Sequence, residues 1–574
     1  MSHPRNPATA LSRVLVDELV RCGVRDLVLA PGSRSAALAF AAHRAAEQGA
    51  LRLHVRVDER TAGFLALGLA RTSRRPVPVV TTSGTAVANL HPAVLEASHA
   101  GLPLLVVSAD RPAHLRGTGA NQTTDQVKLF GDAVRAFADL PAPTAGGPAE
   151  TAQVPAWRSL VARLVATASG STPAAAGPVH LNVQLTEPMT PDADGGWAGP
   201  VDGRPDGAPW TDVVTPADSP GTTLPLGPRT VVVAGDDAGP PARILAEQAG
   251  WPLLAEPSSG SRTGPNAIRT YRLLLADPDL ADRVERVVVC GHPTLSRPVS
   301  RLLARPDVEV VAAAGPTGWT DAGHRVSRVV EHPRAPGADD RSWLAAWQER
   351  DAEVGEALDR LLGERDGLSP HDVAGAVSRA LPARGLLFVG ASNPVRDLDL
   401  MVPRYPVGER RLVVANRGLA GIDGTLSSAI GAALGRGHSS RAFALVGDVT
   451  FLHDANALVL GPEEPRPDLM VVVVNDDGGS IFATLEQGGE AYAASFERLF
   501  GTPHRVDLGA LCAATRTPHR RVTDREQLAA ALAAPTGGIE VVEAVVRRDD
   551  RRALDAAVRG LVQQARSSPE RPVR

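Results

Sequence analysis

Two carboxylates stand 28 positions apart, Asp448 and Asp476, and each follows a run of apolar residues. AFALV ends in Gly447-Asp448, and LMVVVV ends in Asn475-Asp476-Asp477-Gly478-Gly479. If both runs are strands of one open parallel sheet, their carboxyl ends lie where such sheets bind ligands. Hard oxygen donors beside glycines, which let main-chain carbonyls approach, suit Mg²⁺ in company with phosphate oxygens. Two ordinary Asp/Gly turns would give the same letters, so spacing alone leaves both readings open. A third carboxylate, Glu59, sits in Asp58-Glu59-Arg60-Thr61-Ala62-Gly63-Phe64 at a strand-to-helix junction. Taken by itself it is a helix N-terminal carboxylate, favoured by the helix dipole. Asn416-Arg417-Gly418-Leu419-Ala420-Gly421-Ile422-Asp423-Gly424 is a Gly-rich turn after RLVVA. Arg34, Arg111, Arg396 and Arg417 offer planar forks suited to binding carboxylates through two hydrogen bonds. With 60 basic residues in the chain, some arginines will be ordinary surface charges.

The elements that must position these residues are legible as a rhythm. LSRVLVDELVRCG is an amphipathic helix, and DLVLAPGS is a buried strand ending in a Pro-Gly turn. Leu51, Leu53, Val55 and Val57 alternate with strand period 2, and a helix follows from about Arg60. PVPVVTTSGTA and PLLVVSADRP are further strands. This β–turn–α alternation predicts parallel sheets covered on both faces. Residues 185–228, rich in Pro, Gly, Asp and Thr, read as a linker. The rhythm resumes with RTVVVAGDDAG, ERVVVCGHP and VEVVAAAG. It breaks at a Pro/Gly/Asp patch over 332–340 and a charged helix over about 342–364. GLLFVGASNPVR, RLVVANRG, AFALVGDVTF, DLMVVVVNDDGG and IEVVEAVV are the strands of a last block, and the tail from about Arg566 reads as frayed. The first and last blocks are candidates for two versions of one fold.

Composition removes several classes. Length 574 corresponds to about three domains of ordinary size. A net charge of −4 gives no general drive toward nucleic acid or anionic membranes. No run of about 18 apolar residues predicts a membrane span, and the N-terminal stretch lacks a signal-peptide pattern. Three scattered cysteines, Cys22, Cys290 and Cys512, argue against a disulfide framework and fit a reducing, cytoplasmic setting. The single lysine, Lys128, lies outside any Gly-Lys-Ser/Thr, which excludes a P-loop. Val231–Gly239 lacks GxGxxG, and Ser392 lies in Gly-x-Ser-x-Pro rather than a hydrolase elbow. The histidines show no HExxH, and His453 reads as structural.

The GD…N signature around Asp448 and Asp476 resembles that of thiamine-diphosphate enzymes. Further motifs stand in order: Pro31-Gly32-Ser33-Arg34-Ser35, Thr81–Asn89 (TTSGTAVAN), Ala109-Asp110-Arg111-Pro112, Gly119-Ala120-Asn121-Gln122, Gly390–Arg396 (GASNPVR) and Ile481-Phe482. With NRG…GIDG, this set resembles the menaquinone-pathway 2-succinyl-5-enolpyruvyl-6-hydroxy-3-cyclohexene-1-carboxylate (SEPHCHC) synthase family. The likeness runs nearly end to end in the first and last blocks and is thin in the middle, where CGHPTLSRPVSR compares.

The resemblance implies three doubly wound, mostly parallel α/β domains: a pyrimidine-binding domain at 1–190, a middle domain at 191–365 and a diphosphate-binding domain at 366–574. It implies thiamine diphosphate held with Mg²⁺ or Mn²⁺, with Asp448, Asp476 and the Gly478 carbonyl as metal ligands. An aspartate at 476 departs from the family's usual asparagine but remains a hard oxygen donor. Glu59 would hydrogen-bond the aminopyrimidine, Ile422 would prop the cofactor into its bent shape, and Ser392 and Arg417 would also touch it. Ser33, Gln122 and Arg396 join Glu59 as catalytic candidates. Ser33, Arg34, Arg111, Asn121, Gln122, Arg297 and Arg396 would bind substrate, and Ile481, Phe482 and Leu485 would form an apolar wall that excludes water. The implied reaction is decarboxylation of 2-oxoglutarate and conjugate addition of the remaining carbons to isochorismate. Both substrates are dicarboxylates, which fits a site rich in arginine. The active unit would be a homodimer, or a tetramer, with the site at the subunit interface. Rivals are another thiamine-diphosphate decarboxylase or carboligase, and a catalytically silent homologue, for which Asp476 is the one opening.

Overall fold

A computed structural model of the chain describes residues 4–146, 148–171, 175–213, 220–402, 404–437 and 441–567. The chain divides into two compact units. One comprises Met1–Ala217, Gly418–Gly437 and His453–Pro467; the other comprises Asp218–Arg417, His438–Leu452 and Asp468–Arg574.

The first unit is built on six parallel strands: β1 (Asp26–Leu29), β2 (Arg52–Val55), β3 (Val77–Thr81), β4 (Leu104–Asp110), β5 (Ala136–Leu140) and β6 (Val179–Gln184). Their order is β2-β1-β3-β4-β6-β5. β1, β3, β4 and β6 are buried at every residue, as strands of a parallel sheet covered on both faces should be. Two helices of this unit, Glu59–Ser73 and Thr425–Gly435, approach backbone to backbone. A Cβ at Gly68 would lie 2.1 Å from the Ser428 carbonyl oxygen, and one at Gly431 would lie 2.1 Å from that of Leu65. Only glycine allows that approach, and it fixes both the residue that opens the first helix and the loop that leads into the second.

The second unit contains β7 (Thr222–Thr223), β8 (Thr230–Ala234), β9 (Leu253–Ala255), β10 (Arg286–Cys290), β11 (Glu309–Ala313), β12 (Val326–Val330) and β13 (Pro333–Arg334). Five of these form a parallel sheet in the order β12-β11-β10-β8-β9, and β13 pairs with β7. The chain then continues through β14 (Leu386–Val389), β15 (Leu412–Val414), β16 (Ala442–Gly447), β17 (Leu469–Asn475), β18 (His519–Val522) and β19 (Ile539–Val545). These six are also parallel, in the order β15-β14-β16-β17-β19-β18. That is the strand order of the first unit's sheet, so the first and last blocks are two copies of one topology.

Three expectations need adjustment. Residues 185–213 carry no helix or strand, yet they are not a loose tether. Trp197 is buried and stacks on Trp157 at 5.8 Å, and the main-chain amide of Trp210 donates to the buried Glu18 carboxylate. The composition signalled irregular backbone correctly but not the tryptophan anchors. The expected frayed tail overlaps the helix Arg551–Ser567; residues 568–574 lie outside the described residues. β5, β6, β9, β12 and β18 carry no strong sequence signal, and the structure adds them. Cys22, Cys290 and Cys512 are free thiols.

Candidate active site

In the first unit, β2 and β3 flank β1, so the chain switches direction at β1 and a crevice opens beyond the carboxyl ends of β1 and β3. The turn Pro31–Ser35 follows β1, Thr82–Gly84 follows β3, and Arg111 follows β4. A Cβ at Gly32 would sit 2.3 Å from Thr82 Cβ, so the first two turns touch. Arg111 is buried, and its Nη1 donates to Ser83 Oγ at 2.6 Å and to the Gln122 carbonyl at 2.5 Å. Gln122 Nε2 donates in turn to the Ser83 carbonyl at 2.9 Å. Gln122 holds φ of 53°, a left-handed conformation that this ring of bonds sustains. Arg34 lies near enough to act on Arg111, whose guanidinium is held below its ordinary value first by burial and then by Arg34. Arg34 Nη1 donates to the Leu185 carbonyl at 3.2 Å, while Ser33, Asn121 and Gln122 stay exposed. The unit therefore brings Arg34, Arg111 and Gln122 into one cationic, polar cluster.

Glu59 is the first residue of the Glu59–Ser73 helix, after β2. The cap is Asp58, whose Oδ1 accepts from the amides of Arg60 at 2.8 Å and Thr61 at 3.2 Å. Because the neighbour satisfies the helix end, the half-buried Glu59 carboxylate has no hydrogen-bond partner among the described residues and is free to act on a ligand. Ile422 lies in the loop between β15 and the Thr425–Gly435 helix. Gly424 there has φ of 58°, and a Cβ on it would overlap the Phe64 ring at 1.9 Å.

The second unit repeats the arrangement with different chemistry. The switch point of its six-stranded sheet falls between β14 and β16. Ser392 follows β14 with φ of 70°, and Arg396 Nη1 donates to its carbonyl at 2.6 Å. Asp448 follows β16 and is buried. Its Oδ1 accepts from the Val449 amide at 2.7 Å; its Oδ2 accepts from the Gly478 amide at 2.9 Å and lies 3.1 Å from His504 Nε2. Asp476 follows β17. Burial, and then the charge of Asp448, push its carboxyl up to about 7; a hydrogen bond with Ser480 and the charges of Arg551 and Arg548 act against that. Burial likewise raises Asp448. Gly478 has φ of 144°, and a Cβ there would lie 2.0 Å from the Gly501 carbonyl. Asn393 Nδ2 donates to Ser480 Oγ at 2.8 Å, tying the end of β14 to that of β17. Ile481, Phe482 and Leu485 follow in short 3₁₀ turns, with Phe482 partly exposed against Phe500 at 5.7 Å.

Arg417 is buried, and its Nη2 donates to Thr294 Oγ1 at 2.6 Å. Arg396 is held below its ordinary value by burial and then by Arg417 and Arg272, so three guanidinium groups share this region. Arg297 is 65% exposed and pairs with Glu486 at 3.0 Å. Arg272, which donates to the Arg396 carbonyl at 2.9 Å, and His504 carry no motif signal and were not expected. Gln126 was also missed: it accepts from the Gly84 amide and donates to Asn182, bracing the turn after β3.

A buried carboxylate, Asp448, that raises its half-buried neighbour Asp476 leaves the pair short of positive charge, and their oxygens are the donors a hard divalent cation takes. Among the described residues, no group of three or more His, Cys, Asp and Glu is arranged to hold a metal. A small cation here would need oxygens from main chain, water or a phosphorylated cofactor, which is how Mg²⁺ is usually held. Apart from its two chain neighbours, no residue lies within 4 Å of where a Gly447 Cβ would project, so there is room beside Asp448.

Comparison with known proteins identifies the family. The model "Thiamine pyrophosphate enzyme, N-terminal TPP binding domain" matches residues 9–129, and its C-terminal TPP binding domain counterpart matches residues 400–544. A SEPHCHC synthase of Nocardioides sp. is 63% identical over 566 residues, covering 96% of this chain and 98% of that protein. The chain belongs to the SEPHCHC synthase family. The family's protein from Kineococcus radiotolerans is 53% identical, covering 97% of this chain and 100% of its own. The crystal structure of benzoylformate decarboxylase from Polynucleobacter necessarius superposes with a TM-score of 0.64 at 15% identity, covering 94% of this chain and 99% of that one. At that identity the likeness concerns fold alone. No helix among the described residues is long and apolar enough to cross a membrane.

Proposed function

We propose that the chain catalyses thiamine-diphosphate-dependent decarboxylation of 2-oxoglutarate and conjugate addition of the remaining four-carbon unit to isochorismate, giving SEPHCHC for menaquinone synthesis. The observation that carries this reading is near-full-length identity to relatives of that name. The three-block division at 1–190, 191–365 and 366–574, a homodimeric or tetrameric assembly and a cytoplasmic location belong to the same proposal.

Thiamine diphosphate, when bound, supplies the electron sink for the carbon left after CO₂ departs. On this reading, Asp448, Asp476 and the Gly478 carbonyl hold Mg²⁺ or Mn²⁺ against the diphosphate. Glu59 holds a proton at the aminopyrimidine nitrogen, a role supported by the unengaged carboxylate that Asp58 leaves it. Arg34, Arg111, Arg396 and Arg297 bind substrate carboxylates, with Arg417 touching cofactor and substrate. Ser33, Asn121, Gln122 and Ser392 orient polar groups of the substrates. Ile481, Phe482 and Leu485 exclude water, and Ile422 supports the cofactor.

The test is incubation with thiamine diphosphate, Mg²⁺, 2-oxoglutarate and isochorismate, with products followed by mass. The expected product has the mass of both substrates less CO₂, and only when cofactor is present. CO₂ release without that adduct would move the acceptor to another compound.

A further inference from the structure

The loop carrying Ile422 is held by a carboxylate that no motif points to. Glu96 lies on the helix His91–Ala100 of the first unit and is 4% exposed. Its Oε1 accepts from the Gly418 amide at 2.7 Å, and its Oε2 accepts from the Leu419 amide at 2.7 Å. A carboxylate gripping two consecutive amides gives two charge-assisted bonds of fixed geometry. The grip is close. A Cβ on Gly418 would lie 2.7 Å from the Glu96 carbonyl oxygen and 3.0 Å from the Ala100 amide. At its far end the loop is pinned where Gly424 meets Phe64. Between these anchors Ala420 holds φ of 59°, a conformation that a non-glycine residue keeps only when its surroundings enforce it.

We propose that Glu96 is a positioning residue, whose grip on Gly418 and Leu419 sets the placement of Ile422 for thiamine diphosphate. This rests on the reading above that Ile422 supports the cofactor. Glu96 need touch neither cofactor nor substrate. It acts by removing the loop's freedom before the cofactor arrives, so that ordering is not charged against binding.

The experiment uses the full chain with E96Q, which keeps one carbonyl acceptor, alongside I422A and the double variant. Hydrogen exchange of the Gly418 and Leu419 amides is read without cofactor, and thiamine diphosphate affinity is read by calorimetry with Mg²⁺. The expected results are slow exchange of both amides in the unaltered protein and at least about tenfold faster exchange of one of them in E96Q. Cofactor affinity should fall about tenfold in E96Q, and E96Q should add little to the loss in I422A, because both act through one side chain. Fast exchange at both amides in the unaltered protein overturns the grip itself. Unchanged affinity in E96Q while I422A binds weakly overturns the positioning role and leaves the cofactor reading standing. Unchanged affinity in both variants instead overturns the reading of Ile422, and the proposal with it. Equal, additive losses in the double variant would mean general destabilisation, which also overturns it.

Discussion

The two six-stranded sheets have one strand order, and their candidate residues occupy corresponding places, yet their charges are managed in opposite ways. At the first sheet's carboxyl end, the buried Arg111 is tied into a ring with Ser83 and Gln122, and the cluster is cationic. At the other sheet's end, burial pushes the Asp448 carboxyl upward, and desolvation together with the charge of Asp448 pushes up the half-buried Asp476. The shared topology decides where a ligand can sit; the residues placed after each strand decide which ligand. One cluster is organised around cations that await anions, and the other is organised around anions that await a cation.

The comparison breaks most visibly at the two acids with separate tasks. Glu59→Gln keeps the size and the Asp58 cap, so the fold should survive. Turnover should fall by about 10²–10⁴-fold, the usual worth of a positioned proton-transfer group. Circular dichroism and product formation measured together check this; near-normal turnover removes Glu59 from the mechanism. Asp448→Ala comes next. It deletes the carboxylate that organises Gly478 and His504, and Mg²⁺-dependent thiamine diphosphate affinity should drop at least about 100-fold. Calorimetry with and without Mg²⁺ reads it, and an unchanged affinity would falsify the metal assignment.

How far these clusters could be read from sequence depends on the range of the contacts involved. Strands that end in the candidate residues are largely buried apolar runs followed by turns that contain Gly or Asp, so β1, β3, β14, β16 and β17 announce themselves. β5, β12 and β18 border their sheets and are partly exposed, and β9 has three residues, so none shows a clean period. The same holds for the site. Asp448 and Glu59 stand at strand ends and are visible. His504 meets Asp448 across 56 positions, and Glu96 meets Gly418 across 322. No local pattern encodes a partner that distant. The Pro/Gly-rich stretch shows the reverse failure: its composition hides the anchoring of Trp197, because one buried tryptophan barely changes a composition.

Arg111→Lys sharpens the cationic side. An ammonium cannot keep the planar fork toward both Ser83 and Gln122 while also meeting a carboxylate. The KM for at least one of the two dicarboxylate substrates should rise about 10- to 100-fold, with a smaller change in kcat. Steady-state kinetics decide this; a lowered melting temperature with unchanged KM would make Arg111 a structural residue only. Asp476→Asn should act more gently on the anionic side. It removes one of two repelling charges and keeps an oxygen donor, so Mg²⁺ affinity should fall by less than about tenfold. A loss matching that of Asp448→Ala would show that the two carboxylates carry equal weight.

The smallest effect on turnover, and the cleanest check on charge balance in the second unit, comes from Glu256. It is buried beside Arg417; its Oε1 accepts from the Leu295 amide at 2.8 Å, and its Oε2 has no partner among the described residues. Burial pushes its carboxyl up to about 8, the Leu295 amide and Arg417 act against that shift, and Asp399 and Asp236 add to it. The sign follows from linkage. Below the ordinary carboxylate range, folded and unfolded chains both hold the proton, and the group costs nothing. Between that range and pH 8 the unfolded chain releases the proton while the folded chain keeps it, so stability falls as pH rises. Above pH 8 both have released it, and the fall stops. Glu256→Gln cannot titrate and should escape this loss. Urea unfolding at pH 5 and pH 8 should therefore show the variant gaining on the unaltered protein by a few kcal/mol across the interval. Parallel pH dependence in the two proteins would mean that Arg417 already compensates Glu256, and that the surplus of negative charge is confined to Asp448 and Asp476.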